Sequence, residues 1–277
     1  MQKLILSEVL INLSIIENIK VQQKKQNEWH DQWSMLKDDE LFLFKDWIYP
    51  VTLDDFKDKE TLECGCGGGQ HTSFVAPYVK HHTAIDLNTA DIARERNKQF
   101  NNIEFAEADI ATMNLNKQFD IVFSIGVIHH TDNPDQTVEN MRKHVRPGGK
   151  MIVWVYSEEG NGMVKYGVEP IRKLFLKKMS RPGLLFLSKI ITLIMYLPIY
   201  TIYILPFTFL PFYEYFQNFR KLSFYRNTLN VFDKLNAPQV DFISYERIKN
   251  WFPENEFTNI SITPYKGVSW RGSATKK

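Results

Sequence analysis

Between Lys59 and Ser157 the chain alternates short, continuous apolar runs with amphipathic stretches. The runs read ETLEC, HTAID, IEFAEA, DIVFSI and KMIVWVYS, and stretches such as HTSFVAPYV, ADIARERNKQF and PDQTVENMRKHV lie between them. A strand that is apolar on both faces must be covered on both faces, and a helix after each strand supplies that cover. The rhythm predicts a parallel α/β sheet, in which ligands bind at the carboxyl ends of the strands. Residues just after each run are therefore where chemistry is expected.

The first run ends in Glu63-Cys64-Gly65-Cys66-Gly67-Gly68-Gly69-Gln70. Glycines at 65, 67 and 69 let the backbone turn tightly and lie against a ligand with no side chain between. Asp86 closes the second run, nineteen residues beyond Gly67, where a carboxylate can accept both ribose hydroxyls. Asp109 follows the third run in Ala108-Asp109-Ile110, placed to accept from an adenine amino group. Three nucleoside-recognition features thus arrive in order at three strand ends. A dinucleotide fingerprint would need G-x-G-x-x-G. Counted from Gly65 its last position falls on Gln70, whose side chain would obstruct the close helix–strand contact. Glu63, before the glycines, suits a cationic ligand with an amino group and disfavours a pyrophosphate.

Glu63 to Gly69, Asp86, Asp109, the strand Phe119-Asp120-Ile121-Val122-Phe123-Ser124 and Arg146-Pro147-Gly148-Gly149 resemble class I S-adenosylmethionine-dependent methyltransferases. The resemblance implies an α/β fold: a Rossmann-like seven-stranded methyltransferase sheet with N-terminal helices and a helical lid or insert. It implies S-adenosyl-L-methionine as cofactor, with Glu63 and the loop of Gly65, Cys66, Gly67 and Gly69 holding the methionine portion. It assigns Asp86 to the ribose and Asp109 with Ile110 to the adenine, and Leu87 and Ser124 complete the cofactor-binding set. Gly126-Val127-Ile128-His129-His130-Thr131 is similar to the small-molecule branch, with a paired histidine after the fourth strand. The Asn-Pro-Pro-Tyr motif of DNA and glutamine N-methyltransferases is absent from the sequence. The C-terminal stretch is similar to a bacterial subgroup found with glycan and lipid biosynthesis.

Methyl transfer from a sulfonium is an in-line displacement with a neutral leaving group, so holding the reactants in line supplies much of the acceleration, up to ~7–11 kcal/mol. An oxygen nucleophile also sheds a proton. His130 and His129 are the candidate general bases, His130 ahead, because histidine titrates near neutrality and the pair follows the fourth strand. Tyr156, Glu158 and Asn161, after the fifth strand, are expected to line the acceptor pocket. Trp29 and Trp33 share a helix face, which either packs in the core or caps the cofactor pocket. The histidines at 71, 81, 82, 129 and 130 show no metal-ligand spacing, so no metal is expected. Cys64 and Cys66 make no disulfide framework; small buried side chains and a reducing, cytoplasmic compartment are expected.

The formal net charge is +2, and it is unevenly spread. Residues 161–226 carry ten Lys/Arg against Glu169 and Glu214, a net +8, so the rest of the chain carries −6. Inside that basic stretch lie 24 uncharged residues, Ile190 to Tyr213. This exceeds the ~20 residues that span a bilayer. Pro198, Pro206 and Pro211 argue against a single span, and so do two final strands that must rejoin the sheet. The sequence therefore divides into an N-terminal helical cap (1–58), a cofactor-binding core (59–157), a basic apolar insert acting as a lid (158–242) and a closing helix with two strands (243–277). The expected partner is a small-molecule acceptor, hydrophobic or anionic. The insert either packs on the core as a substrate lid or, through 184–213, also makes peripheral contact with the inner membrane face. Its basic charge equally suits a phosphate-bearing acceptor. No nucleic acid is expected, since no binding module accompanies the charge. Two other readings stay open: an NAD-dependent oxidoreductase, and a non-catalytic membrane-associated protein that keeps the pocket.

Overall fold

The computed structural model describes residues 26–36 and 40–277. Of the helical cap expected over 1–58, residues 1–25 and 37–39 lie outside the described residues.

A seven-stranded sheet runs in the order β3-β2-β1-β4-β5-β7-β6. Its first five strands, β1 (Glu60–Cys64), β2 (His81–Asp86), β3 (Ile103–Glu107), β4 (Phe119–Ile125) and β5 (Val145–Tyr156), are parallel. β4, whose sequence FDIVFSI is apolar on both faces, is buried at every position, as a central strand covered by helices must be. β6 (Phe257–Tyr265) and β7 (Ser269–Lys276) form a hairpin, and β7 inserts antiparallel against β5. The turn of that hairpin holds Lys266 and Gly267, both at positive φ, the backbone a tight hairpin requires. One boundary differs from the sequence expectation. β5 begins at Val145 rather than after Gly149, because the pairing with β4 continues across an irregularity between Phe119 and Ile121. Gly149 permits this: a Cβ there would lie 2.9 Å from three backbone oxygens.

Helices α1 (residues 26–35), α2 (Leu41–Ile48), α3 (Gln70–Val75), α4 (Ala90–Arg96) and α5 (Pro134–Lys143) flank the sheet. Two apolar clusters fill its faces. One joins Leu62, Val122 and Val153 to Trp251 and Phe257; the other joins Phe44, Ile48 and Phe56 to Phe123 and Ile152.

The insert leaves and rejoins the sheet at one place. Ser157 pairs with Ile243, and Glu158 N donates to the Ile243 carbonyl at 3.0 Å. Between these points lie α6 (Glu169–Leu174), α7 (Arg181–Thr201), α8 (Tyr213–Phe219) and α9 (Phe224–Asn236), before α10 (Tyr245–Asn250) returns to the core. The insert has its own apolar centre, with Leu184 and Ile199 of α7 against Phe219, Phe232 and Leu235. Helix α7 runs through Pro198 to Thr201, so that proline does not end it, whereas Pro206 and Pro211 lie in the turn that follows. Tyr196 and Tyr203 turn partly inward, while Tyr200 is exposed. Tyr196 packs on Phe224 and accepts from Asn227, and Tyr203 packs on Phe216.

Candidate functional site

The glycine loop joins β1 to α3 at the carboxyl end of the sheet. Gly65, Gly67 and Gly69 have φ of +86°, +50° and +77°. A Cβ on Gly65 would lie 2.5 Å from Val127, and one on Gly69 would lie 2.5 Å from Asn97. Only glycine meets both the backbone conformation and the space. Asp86, at the end of β2, accepts from Gly67 N at 2.8 Å through Oδ2 and from Leu87 N at 2.9 Å through Oδ1. Each oxygen has a second lone pair for a ribose hydroxyl. Desolvation raises the Asp86 carboxyl above the ordinary range, against the pull of those backbone donors. Asp109 is exposed beyond β3, where its Oδ1 accepts from Ala111 N at 2.8 Å. Ile110 beside it is buried, and its carbonyl accepts from Asn140 at 3.0 Å.

Three expected cofactor residues have side chains engaged elsewhere. Glu63 is 1% exposed, and its Oε2 accepts from Thr72 at 2.5 Å and contacts His82 Nε2 at 3.2 Å, with His71 Nδ1 at 3.6 Å from Oε1. Burial works against its charge, but the His71 and His82 imidazoles prevail and bring its carboxyl down to about 2. Glu63 thus anchors β1 to β2 and α3 beneath the loop. Ser124 is fully buried and donates to the Cys64 carbonyl at 2.7 Å, within the sheet. The Cys66 thiol packs inward with Ala84 and Ala93, so only its backbone belongs to the loop, and burial raises both thiols.

The tryptophans of α1 lie over this end of the sheet. The Trp33 ring sits so close to Gly67 that a Cβ there would be 2.6 Å away, and Trp29 meets His130 at 4.7 Å between ring centroids. The helix is tied down by Gln32 to Asp233 at 2.7 Å, His30 to Asp91 at 3.3 Å and Arg181 to Glu28 at 2.6 Å.

Beside the loop is a cavity of about 230 Å³. Its wall combines core residues Gln70, Gly126, Trp154 and Tyr156 with Trp29 and Trp33 of α1, and with Phe212, Tyr215, Asp233 and Lys234 of the insert. Asn161 lines it too. Glu158 does not; its carboxylate pairs with Lys165 at 2.6 Å outside. His130 lines the cavity and its Nδ1 lies 2.6 Å from the Gln239 carbonyl. A carbonyl only accepts, so Nδ1 carries the proton and Nε2 keeps its lone pair. Burial lowers the His130 pKa, against the raising effects of Asp233 and that carbonyl. His129 is fully buried, absent from the cavity wall, and makes no hydrogen bond at either nitrogen among the described residues. Its pKa falls well below the usual range through burial and then the neighbouring His130 and Lys234.

Comparison with known proteins bears on this geometry. A family model described as a methyltransferase domain matches residues 62–153, the stretch that holds the loop, both carboxylates and the histidine pair. Residues 62–153 are a class I S-adenosylmethionine-dependent methyltransferase domain.

The relatives match little more than a third of the chain. The ubiquinone biosynthesis O-methyltransferase of Rickettsia conorii is 30% identical over 105 residues, 36% of this chain and 35% of that one. The protein of that name from Coxiella burnetii is 29% identical over 100 residues, 35% of this chain and 43% of that one. The chain therefore spans under half the length of these relatives. Among solved structures, the N-methyltransferase NodS from Bradyrhizobium japonicum covers 90% of this chain and 98% of its own, with TM-score 0.47 and 13% identity. The oxidoreductase alternative finds no support in these matches.

The methyltransferase domain carries polar groups that fit S-adenosylmethionine. Asp86 and Asp109 present acceptors at the ends of β2 and β3, and the buried Gln70 Nε2, on the cavity wall, has no hydrogen-bond partner among the described residues. Three residues at the cavity escape a reading of the sequence: Asp233 and Lys234 on its wall, and Gln239 behind His130. Lys234 lies over the Tyr156 and Tyr215 rings at 5.2 and 5.3 Å. These residues are remote in sequence from the cofactor motifs, and a lysine on an amphipathic helix such as α9 reads as a solvated face.

Proposed function

We propose that this protein transfers a methyl group from S-adenosylmethionine to a hydroxyl of a small amphiphilic acceptor held in the cavity beside His130. The observation that carries this reading is the His130 tautomer. With Nδ1–H donated to Gln239 at 2.6 Å, the ring offers Nε2 as a proton acceptor on the cavity wall. A neutral imidazole held this way takes a hydroxyl proton as the oxygen attacks, a contribution of roughly 10²–10⁴ in rate.

When bound, S-adenosylmethionine supplies an electrophilic methyl on a sulfonium. The chain's own residues do the rest. Asp86 orients the ribose, the glycine loop admits the methionine portion, and Trp29 and Trp33 exclude water from above. The aromatic cavity wall accepts an apolar body, and Lys234 faces an electron-rich group. Burial opposes the Lys234 charge, and the Tyr156, Tyr215 and Asp233 groups around it hold the ammonium protonated. The relatives named as O-methyltransferases support the choice of oxygen, within the third or so of their length that matches.

The test is calorimetric titration with S-adenosylmethionine, followed by transfer of labelled methyl from it to compounds in a cell extract. Micromolar binding with a labelled product that is base-stable and appears only with intact His130 supports the reading. Absence of binding by folded protein would reject it, and binding without any labelled product would leave the non-catalytic alternative in its place.

A further inference from the structure

We propose that the outer face of α7 and the turn after it form a docking surface for an anionic lipid bilayer. Leu184, Ser188 and Thr192, spaced four residues apart, are buried together with Ile199 and define the face that packs toward α9. The opposite face carries Phe186, Ile190, Leu193, Ile194 and Leu197, all exposed, with Leu197 at 72%. The same surface continues into Phe209 of the turn, 81% exposed. Scattered exposed leucines are ordinary, but a helix-long apolar face rimmed by charge marks an interaction site.

Charge selects the partner. Lys189 is exposed on α7, and Lys178 is exposed just before it, each without an acidic partner among the described residues. Four of the ten cations in 161–226 are engaged by acids, Lys165 by Glu158, Lys173 and the buried Arg172 by Glu169, and Arg181 by Glu28 and Asp31, so the free charge of this surface rests on Lys178 and Lys189. A basic rim around an apolar face complements anionic headgroups above acyl chains, at ~1 kcal/mol per cation near the surface. A second copy would set these cations against themselves. Nor does α7 cross the bilayer, since its inner face is packed on the insert and both ends of the insert meet at Ser157 and Ile243.

The turn after α7 reaches the cavity through Phe212. Val164 and Phe212 line the cavity, while Met163, Tyr166 and Phe209 near them in sequence are exposed. A docked molecule would hold the insert side of its cavity at the membrane, where an amphiphile resides. This last point rests on the methyl-transfer reading; the docking itself does not.

The test uses the full chain and no methyl donor, so its outcome is independent of activity. Flotation is measured with vesicles of phosphatidylcholine, with and without phosphatidylglycerol, at low and high salt. Wild-type protein is expected to float with the anionic vesicles and about tenfold less at high salt or without phosphatidylglycerol. Leu193→Glu with Leu197→Glu is expected to lose flotation while keeping its melting temperature and its stabilisation by S-adenosylmethionine. A Leu193→Cys variant is expected to react with maleimide in the free protein and to be protected by anionic vesicles; Cys64 and Cys66 are buried and stay silent. Failure to float, flotation of the double variant like wild type, or a blocked Cys at 193 in the free protein would each overturn the proposal. In the last case, sedimentation mass tells whether a second copy or residues 1–25 cover the face.

Discussion

The Trp33 ring rests on Gly67, so close that a single methyl group added to the glycine would stand 2.6 Å from it. The contact ties an N-terminal helix to the glycine loop, where the proposed function puts the cofactor. Because Gly67 has φ of +50°, Gly67→Ala adds backbone strain of about 1–2 kcal/mol to the clash. The variant is expected to lose most cofactor affinity by calorimetry while the sheet still melts cooperatively.

Trp33 also reports on the cleft. S-adenosylmethionine entering over the glycine loop must change the environment of that indole. Tryptophan emission is expected to shift on titration, and Trp33→Phe is expected to lose most of the change while still binding. An unaltered response in Trp33→Phe would place the reporter elsewhere.

Asp86 holds the loop with the same two oxygens that the proposed function assigns to the ribose. Asp86→Asn keeps one acceptor oxygen but sets an amide donor against a backbone N–H. Hydrogen bonds to a charged group are worth about 1.5–3 kcal/mol, so the dissociation constant is expected to rise about tenfold to a hundredfold. Calorimetry checks this, with circular dichroism to verify the fold.

His130 and His129 separate by assay. His130→Gln is expected to lower turnover about 10²–10⁴-fold with cofactor affinity unchanged, whereas His129→Asn affects chiefly stability, since that ring touches Tyr156 at 4.2 Å and lies outside the cavity. A base must be unprotonated to act. With the His130 pKa lowered, activity is expected to rise with pH and level off below the ordinary histidine range near 6.5.

Glu63 makes a stability prediction with a definite sign. Its folded pKa, about 2, lies below the ordinary 4.5, so its contribution is present above about 4.5 and is lost as pH falls toward 2. At one pK unit per 1.36 kcal/mol, this is on the order of 3 kcal/mol. Glu63→Gln is expected to melt several degrees lower at pH 7, and the gap should close between pH 4.5 and 2.

The parallel sheet, the glycine loop, Asp86 and Asp109 are legible in the sequence because each is a local signal. A buried strand must be apolar at consecutive positions, and a backbone at positive φ against a neighbour must be glycine. The basic, apolar character of the insert is equally legible as composition. Glu63 and Ser124 show where local reading ends. Their motif positions place them with the cofactor, but the sheet brings Thr72, His82 and the Cys64 carbonyl within reach and engages them there. The choice of His130 over His129 rests on Gln239, more than a hundred residues away, and Lys234 joins the cavity only because α9 packs back across it. Sequence by itself determined which residues can carry the chemistry, because backbone and burial constraints act within a few residues. Which side chains meet in the cavity, and which face of α7 stays open to solvent, depended on packing between segments far apart in the chain, and only the tertiary structure decided that.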